Sequence, residues 1–432
     1  MSLEPVGQLS PQEWMRAPET RAVLAALVAE GGEARFVGGC VRDAVLKRPI
    51  KDVDIATHDS PERVMRLLER AGIHVIPTGI EHGTVTAVIG RSHFEITTLR
   101  CDVETFGRRA RVRFTDDWAA DAARRDLTIN ALFADGEGRI YDPFDGLADL
   151  AAGRIRFVGD PMQRIEEDVL RLLRFFRFYA HYGTPPPDQE ALAACRALAP
   201  RLPRLSGERV CGEIFRLLAA PDPASVLLLM QGERILPHVL PEAAEFGRLR
   251  VLSWLETRGL RREGVSPDVV RRLAALLRTD AQGAAAVAAR LKLSNSQSER
   301  LVALSAPLLV PDPAMDARAA RRALHRLGAE RFRDLVLIAW AGRKAVKAHA
   351  DPDETDRWLD LLAAADTWQP ARLPVRGRDV VDLGVPRGPE IGRILADMER
   401  WWEGGDYRAG RTEALERLKE MVSDRGRPHP QA

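Results

Sequence analysis

The sequence predicts an α+β fold: a head carrying a small sheet, followed by a long all-helical neck, body and tail. Two patterns predict it. Up to roughly residue 150, short runs rich in β-branched and aromatic residues alternate with segments of helical periodicity. Beyond residue 160 the strand pattern stops, and Leu, Ala and Arg recur at helical spacing to the end. The expected domains are a head over 1–150, a neck over 151–220 and a body with tail over 221–432.

A helical start covers about Ser10 to Glu30. Strands are expected at Ala34–Val37, Asp52–Ala56, His74–Ile76, Thr84–Ile89, His93–Leu99 and Asn130–Ala134. The stretch Arg100–Trp118 carries Arg100, Arg108, Arg109, Arg111 and Arg113 among Asp102, Glu104, Asp116 and Asp117. With Gly107 inside and few large apolar residues, it reads as a charged, mobile loop. Arg139–Gly146 reads as a short extended piece punctuated by Pro143 and Gly146. Prolines at Thr184–Pro187, Pro200–Pro203, Pro221–Pro223 and Pro307–Pro313 mark helix boundaries.

At 432 residues and 45% hydrophobic content the chain can bury substantial cores. Its 64 basic and 62 acidic residues give a formal +2, so no global charge announces a polyanion partner, and any RNA-binding surface must come from local clusters. Arg258/Arg261/Arg262, Arg271/Arg272 and Arg318/Arg321/Arg322 are such clusters, readable as phosphate-tracking or as solvated faces. Cysteines 40, 101, 195 and 211 have no metal-ligand spacing and indicate no disulfide. The N-terminus lacks a signal pattern and no apolar run reaches membrane-spanning length, so a cytoplasmic protein with no membrane partner is expected.

The chemistry begins at Phe36-Val-Gly-Gly-Cys-Val-Arg-Asp43, followed closely by Asp52-Val-Asp54. Gly38 and Gly39 let the backbone approach a polyphosphate and point amide N–H groups at it, and Arg42 adds a planar cationic fork for the same oxygens. Asp52 and Asp54, two apart on a strand, turn both carboxylates to one face. That pair suits two magnesium ions holding a nucleoside triphosphate while a hydroxyl attacks, which suggests nucleotidyl transfer. Either half alone is equally a tight turn or a solvated pair.

With these residues the sequence resembles the nucleotidyltransferases of the polymerase-β superfamily, and more narrowly the bacterial (class II) group of tRNA CCA-adding enzymes and poly(A) polymerases. Glu95, in His93-Phe-Glu-Ile-Thr-Thr-Leu-Arg100, lies opposite Phe94 and Ile96 on its strand, either as a third carboxylate or as an outward-facing residue. Related CCA-adding enzymes carry a glutamate at this point. In the resembling family a flexible loop at the position of Arg100–Trp118 is associated with moving from CTP to ATP addition.

Asp121-Ala-Ala-Arg-Arg-Asp-Leu-Thr-Ile-Asn-Ala131 matches the family's second motif. Arg124 and Arg125 can neutralise triphosphate charge, while Asp126 and Asn130 suit the ribose hydroxyls; the bland alternative is an Arg–Asp pair fixing a helix start. In Arg164–Phe178, Asp168 and Arg171 are expected three apart on one helix, side by side. An aspartate accepts from an exocyclic amino group and an arginine donates to the adjacent ring nitrogen. That pair accepts the Watson–Crick edges of cytosine and adenine and rejects those of uracil and guanine. Glu167 is placed to orient Arg171, and Arg174 and Arg177 continue towards the phosphates.

The resemblance spans about residues 34–220, including Ser206-Gly-Glu-Arg209 with Glu213, and more weakly 370–395. It implies a polymerase-β-like head and Mg²⁺-dependent addition of CCA to the 3′ end of tRNA from CTP and ATP. Asp52, Asp54 and Glu95 would be catalytic, with the first two as metal ligands. Gly38, Gly39, Arg42, Arg125, Asp126, Asn130, Glu167, Asp168, Arg171, Arg174 and Arg177 would bind nucleotide. Poly(A) polymerase is the closest rival, but Glu81-His-Gly-Thr-Val-Thr-Ala-Val-Ile89 resembles the CCA-adding side. A partial CC-adding or A-adding enzyme and a non-catalytic RNA-binding relative complete the alternatives.

Overall fold

The computed structural model describes residues 3–106, 109–347 and 352–425. Contacts divide the chain into two compact units, Met1–Phe246 with Ala286–Ser294, and Gly247–Ala285 with Asn295–Ala432.

In the first unit, strands β1 (Gly7–Gln8), β2 (Ala34–Val37), β3 (Val53–Thr57), β4 (His74–Gly79), β5 (Thr84–Ile89), β6 (Ser92–Thr98), β7 (Arg100–Phe106), β8 (Arg109–Phe114), β9 (Phe133–Ala134) and β10 (Arg139–Tyr141) build two sheets. The larger has eight strands in the order β1-β10-β9-β2-β3-β6-β5-β4. All four residues of β2 are buried, Arg35 among them, and Val37, Ala56, Leu99, Trp118 and Phe133 pack into one apolar cluster. β3 and β6 are parallel, the register setting Asp54 opposite Glu95, while β2 pairs antiparallel with β3.

The structure departs from the sequence-based expectation at four places. The N-terminal helical stretch is two helices, Glu13–Arg16 and Pro18–Val28, because Pro18 cannot continue the first but is well placed in the first turn of the second. The strand expected over Asn130–Ala134 shrinks to Phe133–Ala134. Thr128–Asn130 form a 3₁₀ turn in which the Asn130 side chain donates back to Asp126, a local bond that competes with strand pairing.

The expected charged loop is instead the hairpin β7–β8, whose register puts Glu104 opposite Arg111. A charged composition is compatible with a two-stranded ladder as well as with a loop, so charge density alone misread the segment. Gly107 and Arg108 lie outside the described residues. Finally, Asp168 is not on a helix with Arg171. The helix Pro161–Glu167 ends there and Leu170–Tyr182 begins two residues later. Asp168 is extended (φ −151°, ψ 105°), and its carboxylate accepts the Leu170 N–H at 3.2 Å, the start-of-helix role aspartate favours.

The second unit is helical among its described residues, and it contains a buried ionic network. Arg271 and Arg272 both pair with Glu256; Arg271 also pairs with Asp334, which together with Asp268 holds Arg300. Arg271 and Arg272 are thus interior residues, not an RNA-facing cluster. Arg318 donates to the Gly404 carbonyl, Arg321 pairs with Asp406, and Arg322 lies 3.8 Å from Glu403. Arg262 pairs with Asp366, while Arg258, Arg261 and Arg318 are exposed. Because Glu256 is the shared partner of two buried guanidiniums, Glu256→Ala removes one carboxylate from both, although Arg271 keeps Asp334. We expect a loss of about 3–5 kcal/mol, measured as a lower denaturant midpoint; a loss under about 1 kcal/mol would show that water reaches the site.

Candidate functional site

The carboxylates come first. Asp52 is exposed immediately before β3, Asp54 is partly buried on β3, and Glu95 is exposed across the parallel ladder from Asp54. Burial, then the charges of Glu95 and Asp52, push the Asp54 carboxyl up to about 6, with Arg125 opposing. Burial and neighbouring like charges both disfavour the ionised carboxylate. The set fits a hard divalent ion. No group of three or more His, Cys, Asp or Glu in ligating arrangement occurs among the described residues, yet a cation that keeps its waters and takes phosphate oxygens needs only one or two carboxylates. The neighbouring Cys40 thiol donates to the Asp54 and Val37 carbonyls, and burial raises it to about 11, so it is neutral and no ligand.

The Gly38–Gly39 turn adjoins these carboxylates. Gly38 has φ +69° and ψ −116°, a conformation open to glycine, and its N–H donates to the Leu132 carbonyl. A Cβ there would meet Arg125 Nη1 and the Asn130 carbonyl at 3.5 Å, an ordinary contact distance, so the guanidinium lies beside the turn and the positive φ is what favours glycine. Arg42 is 7% exposed and donates to Asn130 Oδ1 at 2.6 Å and to both Asp43 oxygens, with its guanidinium 4.4 Å from the Tyr182 ring centre.

The ribose candidates form one bonded group. Asp126 accepts from Asn130 Nδ2 at 3.1 Å and from Arg174 Nε at 2.6 Å. Burial pushes the Asp126 carboxyl up, but Arg174 and these hydrogen bonds more than offset it and hold it below the usual range, so the group is ionised. Arg124 and Arg125 both pair with Asp121.

The base-reading candidates are held from two sides. Arg171 Nη1 donates to Glu167 at 2.5 Å and to the Arg164 carbonyl at 3.1 Å, and Nη2 donates to the Arg124 carbonyl at 3.1 Å. Asp168 accepts from Arg209 Nη2 at 2.7 Å. Arg177 pairs with Glu213 at 2.8 Å.

A cleft of about 550 Å³ is lined by Gly38, Gly39, Arg42, Asp54, Arg125, Asp126, Asn130, Asp168, Arg171, Arg174 and Arg177. Three residues of the expected set are not on that wall: Glu167 backs Arg171, Glu95 lies on the far strand, and Asp52 lines an adjoining cavity with Asp54, Arg48, Tyr182 and Arg216. The sequence reading gave no site role to Arg209, Phe178, Arg48, Tyr182 or Arg216. Arg209 sits in a recognisable motif, but its partner Asp168 is 41 residues away and no spacing rule links them.

The head, residues 34–156, matches the family model described as the Poly A polymerase head domain, and residues 187–246 match one described as the probable RNA and SrmB- binding site of polymerase A. The mitochondrial CCA tRNA nucleotidyltransferase 1 of Mus musculus is 34% identical over 403 residues, 90% of this chain and 87% of that protein. A CCA-adding enzyme of Levilactobacillus brevis is also 34% identical, over 90% of this chain and 93% of its own length. The crystal structure of the Bacillus stearothermophilus CCA-adding enzyme in complex with CTP superposes with a TM-score of 0.76 at 27% identity, covering 96% of this chain and 99% of that one. A Thermotoga maritima CCA-adding enzyme complexed with tRNA, at 18% identity and a TM-score of 0.61, shares the fold. Nucleotidyltransferases of this kind are generally metal-dependent, in keeping with the carboxylate set. With relatives of this identity over nine-tenths of its length, the chain belongs to the CCA tRNA nucleotidyltransferase family.

Proposed function

We propose that this tRNA nucleotidyltransferase builds the whole CCA end from CTP and ATP without a template, releasing pyrophosphate at each step. The observation that carries the reading is the convergence of a charged base edge, a ribose group and a glycine turn in one cleft that opens on Asp54. Asp52 and Asp54 would hold the cation, Mg²⁺ in this proposal, with Glu95 completing the negative face. When bound, that ion offsets triphosphate charge and favours attack by the tRNA 3′-hydroxyl on the α-phosphate. Gly38, Gly39, Arg42 and Arg125 would steady the triphosphate, and Asp126 with Asn130 would receive the ribose hydroxyls.

Asp168 and Arg171 would read the base. The contacts of Arg171 use three of the five N–H donors a guanidinium offers, leaving two for a ring nitrogen. Glu167 orients Arg171 from behind, Arg209 holds Asp168 from the cleft wall, Arg174 anchors Asp126, and Arg177 extends the basic wall. Four free cysteines support a reducing compartment, the cytoplasm in this proposal.

Incorporation with purified protein, Mg²⁺ and tRNAs ending before CCA, after C and after CC tests the reading at single-nucleotide resolution. Growth that stops at CCA is the expected result. An unbounded A ladder, a stop at CC, or no addition would each replace it. A pH dependence is also expected. Asp54 is a raised acid, so a proton competes with the cation below about pH 6 and not above about pH 7. Cation affinity of the nucleotide-free protein should therefore fall up to about tenfold per pH unit below about 6. A flat cation titration between about pH 5 and pH 8 would count against Asp54 as a ligand.

A further inference from the structure

Asp121 lies in the short helix Trp118–Ala123, between the hairpin and the cleft, with its side chain 1% exposed. Its Oδ1 accepts the backbone N–H of Arg100, the first residue of β7, at 3.2 Å, and both Nε and Nη2 of Arg124 at 2.8 Å. Its Oδ2 accepts Nε and Nη2 of Arg125 at 3.2 and 2.9 Å. Arg124 in turn presents its carbonyl to Arg171, and Arg125 lies beside the Gly38 turn. One carboxylate therefore keeps three parts in register: the hairpin root, the guanidinium beside the glycine turn, and the backbone that seats Arg171. Asp121 does not itself line the cleft.

We propose that Asp121 is a positioning residue that couples the hairpin to nucleotide binding, setting Arg125 against the triphosphate and Arg171 against the base. The inference rests on the nucleotidyl-transfer reading of the cleft. Two guanidiniums share one buried carboxylate, so neither can swing away without leaving charge poorly compensated. Burial alone would raise the Asp121 carboxyl, but the two arginines hold it below the usual range, so it is ionised and can hold both. A triphosphate drawing on Arg125 competes with Oδ2 and alters the hold of the same carboxylate on Arg100. By reciprocity, what shifts the hairpin root shifts nucleotide affinity.

Asp121→Asn in the full chain keeps the shape but turns one acceptor into a donor facing a guanidinium. The Kd for CTP and for ATP is measured alongside hydrogen exchange of the β7 and β8 amides, with and without nucleotide. We expect Kd to rise on the order of ten- to hundredfold, the range of charge-assisted hydrogen bonds, and the nucleotide-dependent change in hairpin exchange to vanish. A carboxylate that merely braces the fold would lower the unfolding midpoint and leave that nucleotide-dependent difference intact, which overturns the proposal. In an Arg125→Lys background Asp121→Asn should add little further loss, whereas full additivity also overturns it. If Asp121→Asn fails to fold, Arg124→Gln breaks the Oδ1 pair alone and must blunt the same hairpin response. Unmodified protein that adds nucleotides yet shows no hairpin response to them removes the coupling alone. Unmodified protein that adds nothing removes the reading beneath it.

Discussion

Asp54→Ala should reduce incorporation of CTP and of ATP by at least about a thousandfold while leaving tRNA affinity within about twofold, because the residue acts on the chemical step and not on the RNA. Its place on β3 makes this specific. Parallel pairing with β6 brings Asp54 level with Glu95, so two charges are built into the sheet, and Asp52 stands just before the strand start. The same geometry predicts a gain elsewhere. The folded-state carboxyl titrates near 6, above its ordinary 3.8, so folding is penalised at neutral pH and the penalty fades as pH falls through 6. Asp54→Asn removes that penalty. It should unfold at an equal or higher temperature than the unmodified chain above about pH 6, by on the order of 1–2 kcal/mol, and show no difference near about pH 4. Retained activity in either variant would sink the catalytic assignment. Lost activity with lost stability would mean that the carboxylate serves the fold.

Local chemistry was legible in the sequence and long-range partnership was not. Gly38 and Gly39 announce themselves because a left-handed turn is a property of a few consecutive residues, whereas the burial of Arg42 depends on Asn130 and Tyr182, far along the chain. Asp54 announces itself because strand alternation fixes its face, whereas Asp52 stands exposed just before β3. The strand Thr84–Ile89 coincides with its expected limits, since alternation and flanking glycines agree. The hairpin over 100–114 was hidden because its residues read as solvated charge, and the register that pairs its two strands leaves no mark on local composition. The break at Asp168 was hidden for a related reason: helical periodicity continues through it, and the residue's own carboxylate caps the next helix. Arg271 and Arg272 show the opposite error. Paired arginines look like an RNA surface until Glu256, 15 and 16 residues earlier, folds beneath them.

That break bears on the second large effect. If Asp168 and Arg171 read the base edge, Asp168→Ala should lower the preference for CTP and ATP over UTP and GTP by about ten- to hundredfold, since a good bidentate base contact discriminates by about 1–3 kcal/mol. Because Asp168 sits between helices and is steered by Arg209 and not by helical spacing from Arg171, Arg209→Ala should produce part of the same loss with the base-facing groups still present. Glu167→Gln should act likewise through Arg171. Competition assays with mixed nucleotides give the ratio directly, and triphosphate affinity serves as the control. A rise in KM for all four nucleotides with an unchanged preference would place Asp168 and Arg209 in support of the fold and return base selection to other residues of the cleft wall. A graded loss of preference, with Asp168→Ala beyond Arg209→Ala and both beyond any change in KM, is what a template made of two side chains, each held by a neighbouring residue, requires.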